Sequence, residues 1–91
     1  MRWMELIKLQ TVDISEAALE EVGKLMREIT ATSGIVTAEV YMHASVAGDM
    51  ALLLIWETER PSYHGSFAGL QLVGELRKFG LVAHAVWIGM P

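Results

Sequence analysis

Hydrophobic positions along this chain alternate between two periods, and each change of period marks a new element. Met4–Thr11 is a short run with mixed faces that reads as a strand. Asp13 or Ser15 can then cap a helix, with Glu16 and Glu20 in the early turns, where the helix dipole favours acids. Leu19, Val22, Met26 and Ile29 recur at helical spacing, Leu25 widens the stripe, and Gly34 supplies a stop. From Ile35 to Val46 the period drops to two. Val36, Ala38, Val40, Met42 and Ala44 face one way, and Thr37, Glu39, Tyr41, His43 and Ser45 the other, which predicts a half-buried strand. Ala47-Gly48-Asp49 predicts a tight reversal, so Met50–Glu57 pairs back as a hairpin. Thr58–Tyr63, which holds Pro61, reads as a loop. A second helix is predicted from about Ser62 or Gly65 to Phe79, with Ala68, Leu72, Leu76 and Phe79 on one stripe and Val73 beside it. Gly80 ends it, and Leu81–Met90 is the final strand.

The order β-α-β-β-α-β predicts an α+β, ferredoxin-like domain spanning residues 1–91: a four-stranded antiparallel sheet, strand order 4-1-3-2, with both helices on one face. Helices then cover only one sheet face. Yet Leu52/Leu54 and Leu53/Ile55 are apolar on both faces of the third strand, and Val82/Val86/Ile88 and Leu81/Ala85/Trp87 repeat this on the fourth. A sheet with one wet face alternates apolar and polar residues instead. The pattern therefore predicts a homodimer in which two sheets pack face to face, closing a dimeric α/β barrel.

Composition strengthens that expectation. A 91-residue chain buries only roughly 60–65% of its unfolded surface. With 53% hydrophobic residues and a mean hydropathy of +0.37, this one carries more apolar surface than a thin protomer covers. There is no cysteine, so disulfides, thiolate metal sites and cysteine nucleophiles are excluded. A net charge of −4 with seven scattered Lys and Arg argues against nucleic acid as a partner. Met1–Gln10 carries Arg2, Glu5 and Lys8 and lacks the apolar run of a signal peptide. The longest charge-free stretch, Phe79–Pro91, falls short of the ~20 residues that span a bilayer, so no membrane association is expected and a cytoplasmic protein is the default.

Candidate chemistry centres on Leu52–Phe67. An apolar strand ends in Trp56-Glu57, a polar turn follows, and His64 stands at the mouth of the second helix. His64 reads either as a proton acceptor or donor lining a pocket, or as a surface residue that caps the helix or pairs with Glu57 or Glu59. Trp56 reads as a ligand-cavity wall or as a core or interface anchor. His84 interrupts an apolar strand, as a satisfied core or interface histidine or as a substrate contact. Tyr41, His43 and Glu39 read as a solvated or interfacial strand face. A shared metal site is not expected: His43 and His84 fall on opposite edges of the predicted sheet, about 14 Å apart at three strand spacings. No phosphate-binding glycine loop and no Gly-x-Ser-x-Gly elbow is present.

The element order, the expected sheet-to-sheet dimer and the segment Trp56-Glu57…His64-x-x-Phe67 together resemble the dimeric α/β-barrel superfamily, and within it the antibiotic-biosynthesis-monooxygenase-like (quinol-monooxygenase-like) proteins. Here the acid follows the tryptophan directly, where the family often has Glu-x-Trp. The haem-degrading branch relies on an asparagine in its first strand, and this chain has no asparagine. The resemblance implies a pocket between sheet and helices lined by Trp56, His64 and Phe67, with His64 as base or phenolate partner. It also implies oxygenation of an electron-rich aromatic or quinol-type molecule by O₂ without a bound cofactor. His84 joins Trp56 and Phe67 as a substrate-binding candidate. The alternative is a non-catalytic dimeric module of the same fold that binds a small apolar ligand or serves assembly.

Overall fold

The computed structural model describes all 91 residues, Met1–Pro91. The elements are β1 (Arg2–Gln10), α1 (Glu16–Ile29), β2 (Ile35–Met42), β3 (Asp49–Glu57), α2 (Phe67–Leu76) and β4 (Leu81–Ile88). All strand pairings are antiparallel and the sheet order is β2-β3-β1-β4, the order predicted from the pattern. No helix is long and apolar enough to cross a membrane.

Strand alternation assigns the two faces. Trp3, Glu5, Ile7 and Leu9 of β1 and Met50, Leu52, Leu54 and Trp56 of β3 form the buried, helix-covered row. Cross-strand register puts Val82, His84 and Val86 of β4 on the same face. Ile7, Leu9, Leu52, Leu54 and Leu76 lose all solvent contact, each side chain contributing roughly 1.5–3 kcal/mol. The opposite face of the sheet presents Met4, Leu6, Leu53, Ile55, Ala85 and Trp87, and no element of the chain covers it. Near its edge Tyr41 donates a hydrogen bond to Glu39, and this bond and the carboxylate's charge hold the phenol above the usual tyrosine range.

Helix α1 starts at one of its two expected caps, whereas the end of β2 and both ends of α2 differ from the pattern-based expectation for local reasons. Helix α1 starts after Ser15, whose hydroxyl accepts the Ala18 N–H, and it buries Ala18, Val22, Met26 and Ile29 while Leu19 stays exposed. Strand β2 stops at Met42 because the His43 imidazole accepts the backbone N–H groups of Ser45 and Val46 and turns the chain early. A register shift between Ile35 and Thr37 also breaks the strict alternation: Ile35 and Ala38 both face the helices. Helix α2 begins at Phe67, later than Ser62 or Gly65, and ends at Leu76 before Phe79. Gly65 has φ +109°, which no helix accommodates, and Ser66 is the cap whose hydroxyl accepts the Gly69 N–H at 2.9 Å.

Candidate active site at the start of the second helix

The helix-covered row contains one charged residue. Glu5 lies in the central strand with no solvent exposure, at a position that strand alternation reserves for apolar side chains. Burying a carboxylate costs several kcal/mol unless its oxygens are paired. Both are. Oε1 accepts the backbone N–H of Ser66 at 3.1 Å, and Oε2 lies 2.7 Å from Nε2 of His84 on the neighbouring strand.

The start of α2 explains why the acid sits there. A helix commonly closes its N-terminus with a Ser/Thr cap and an acid three residues on, whose carboxylate reaches back to the cap's N–H. Here the cap is Ser66 and the third residue of the helix is Gly69. Glu5, from β1, supplies the missing carboxylate across the helix–sheet interface. Gly69 makes room for it, since a Cβ at that position would collide with the Glu5 carboxylate. The helix N-terminus in turn favours the anion. Only one carboxylate oxygen is used for capping, and the other is left to hold His84.

His84 is 14% exposed and makes no second side-chain hydrogen bond. Its Nδ1 is absent from the buried atoms that lack partners, a set that holds Trp56 Nε1 alone, so Nδ1 keeps solvent contact. The backbone of Gly65 lies over the imidazole edge, where any Cβ would strike Cε1. The turn Tyr63–His64 precedes it, both residues exposed, and Phe67 follows at the first helical position with 78% exposure. Chain continuity places His64 and Phe67 on either side of the Gly65–Ser66 turn that packs against His84. His64 makes no side-chain hydrogen bond there.

Trp56 belongs to a different part of the same face. It stacks on Trp3 with ring centroids 5.5 Å apart and 15° between planes, at 3% exposure. The Trp3 indole donates to Thr58 Oγ1 at 2.8 Å, whereas the Trp56 N–H has no acceptor. Trp56 pairs with Trp3 and His84 with Ile7, so the two Cα atoms are about 17 Å apart, from two strand spacings and four residues of rise. Outside this core, a groove of about 510 Å³ runs between α1 and α2, floored by Ile29 and Leu72 and flanked by Glu28 and Glu75.

Glu5, Ser66, Gly65 and Gly69 are missing from the residues nominated by sequence. A signal for Glu5 was present: Trp3-x-Glu5-x-Ile7-x-Leu9 puts an acid in an otherwise apolar alternating row, and such an acid needs a partner. Nothing in sequence order links it to Ser66 or His84, 61 and 79 residues away.

No family model matches the sequence, and no curated protein matches it as a relative. Solved structures do share the architecture along essentially the whole chain. Rv0793 from Mycobacterium tuberculosis matches at 14% identity and TM-score 0.72, covering 100% of this chain and 97% of that one. SnoaB, a cofactor-independent oxygenase from Streptomyces nogalater, matches at 11% identity and TM-score 0.74, covering 99% and 94%. A candidate antibiotic biosynthesis monooxygenase from Caulobacter crescentus CB15 matches at 12% identity and TM-score 0.71, covering 99% and 91%. The chain thus shares the βαββαβ fold of these proteins. Its structural neighbours include the monooxygenase-like proteins that the segment Trp56–Phe67 resembles.

Proposed function

We propose that this protein is a cofactor-independent monooxygenase acting on an electron-rich aromatic or quinol-type molecule. The observation that carries the reading is the buried Glu5–His84 pair packed beneath the turn that carries His64 and Phe67, in a fold shared with an oxygenase that needs no cofactor. Deprotonated phenols and naphthols are reducing enough to pass an electron to O₂ themselves. A naphthol plus O₂ gives a naphthoquinone plus water, with one oxygen atom in each product. The protein's part is to bind the ring, take the hydroxyl proton and shelter the anion. Phe67 offers an apolar wall, and His64 and His84 offer proton acceptors. Trp56, stacked on Trp3 about 17 Å from His84, has no part assigned in this step.

The working unit in this reading is a homodimer. The uncovered sheet face, with Leu6, Leu53 and Ile55 at its centre and Trp87 57% exposed, is a contiguous apolar surface of the kind that marks an interface. A second copy of the same face is its natural complement.

The tight stacking of Trp56 on Trp3 favours a second reading, a non-catalytic module of this fold whose interior is filled by its own side chains. Oxygen uptake separates the two. Purified protein with a panel of quinols and naphthols is expected to consume O₂ above the buffer rate, and His64→Ala and His84→Gln report which imidazole matters. No uptake with any member of the panel, together with no spectral change on mixing, would leave the module reading.

A further inference from the structure

We infer that His84 is the general base of the site, that Glu5 is its positioning residue, and that the substrate is a neutral hydroxyarene whose O–H proton passes to His84 Nδ1. The substrate class rests on the oxygenase reading; the proton transfer is argued from the residues alone.

An ionised carboxylate only accepts hydrogen bonds, so the 2.7 Å contact with Glu5 Oε2 places a hydrogen on His84 Nε2 and leaves the lone pair on Nδ1. The Ser66 N–H donates to Glu5 Oε1, and the start of α2 presents its positive end to the same group. The imidazole is therefore fixed in one tautomer and one orientation by a carboxylate that is itself immobile. Nδ1 has no hydrogen-bond partner and is not fully buried. His64 has none of this: it is exposed, lacks a partner, and presents no fixed nitrogen.

Gly65 and Gly69 point the same way. Each leaves a gap that a Cβ would fill, one against the imidazole and one against the carboxylate. Capping α2 uses only Glu5 Oε1, which leaves Oε2 to orient the imidazole.

In the step itself the substrate O–H bond breaks, its proton goes to Nδ1, and the electron pair stays on the phenolic oxygen. The imidazolium that forms sits between the Glu5 carboxylate and the new oxyanion and is stabilised by both. The buried negative charge of Glu5 disfavours a ligand that arrives as an anion, which is why a neutral hydroxyarene fits and a carboxylated or phosphorylated one does not.

The test uses para-nitrophenol, which shows its ionisation by colour and is too electron-poor to reduce O₂, so it reports proton transfer independently of oxygenation. At a pH where the free phenol is mostly neutral, the wild-type protein is expected to bind it as the coloured phenolate, and His64→Ala reads whether that histidine is needed. His84→Gln and Glu5→Gln are expected to bind it as the neutral form or at least about tenfold more weakly. On an oxygenated substrate Glu5→Gln should lower kcat by about tenfold or more with KM within about twofold, the signature of a group acting on proton transfer. Nitrogen NMR of the wild-type imidazole should show hydrogen on Nε2, which needs no variant to fold. Phenolate formation without O₂ uptake would sustain the base and retire the oxygenase. The inference is overturned by no binding of the phenol, by hydrogen on Nδ1 instead, or by phenolate formation that depends on His64 and not on His84 or Glu5.

Discussion

Two glycines in one helix make the residue-scale case that the Glu5 carboxylate is packed against α2. Gly69 faces it and has no room for a Cβ, whereas Gly74 on the outer side of α2 has nothing within 4 Å. Alanine is the better helix former by about 1 kcal/mol at either place. Gly74→Ala is therefore expected to stabilise the protein by about 0.5–1 kcal/mol in urea unfolding. Gly69→Ala is expected to destabilise it by about 1–3 kcal/mol, because the methyl group overpacks a buried charge. Equal effects at the two positions would mean that Glu5 is not held where the geometry has it. A Cβ added at Gly74 meets neither the core nor the Glu5–His84 pair, which makes this position the internal control.

Where α2 begins decides what His64 is. Sequence spacing placed this histidine at the helix mouth, but the positive φ of Gly65 and the Ser66 cap keep it in the preceding turn. Ser66→Ala is expected to cost about 1 kcal/mol and to speed amide exchange at Gly69, whose N–H loses its acceptor. Ser62→Ala, four residues upstream and outside the helix, is expected to change neither. Ser66→Ala keeps the backbone N–H that donates to Glu5, so the loss of stability reports the cap and not the Glu5–His84 pair. On β2 the comparable device is the His43 imidazole, which ends the strand by taking two backbone N–H groups and is thereby committed to structure.

For the whole molecule the unresolved demand is the uncovered sheet face. Leu53 lies at its centre, across from Leu6 on one side and Glu39 on the other. Leu53→Lys puts a charge into that face without touching the helix-side core. In sedimentation the wild-type protein is expected to run as a dimer and Leu53→Lys as a monomer, with unchanged helical circular dichroism. A wild-type monomer at micromolar concentration would remove the face-to-face assembly from the proposal.

The sequence by itself determined the element order, the strand order and the apolar character of both sheet faces. Element order and face character follow from local periodicity, and strand order from the few ways that β-α-β-β-α-β can be connected. It also singled out His64, Phe67 and His84, because unusual residues stand out against a regular background. Only the tertiary structure decided which imidazole is held and by what. Strand pairing brings Glu5 beside His84 across 79 residues, and α2 docks its N-terminus onto the same carboxylate. Partnership between residues so far apart in the chain is a property of packing, and no pattern of neighbours encodes it.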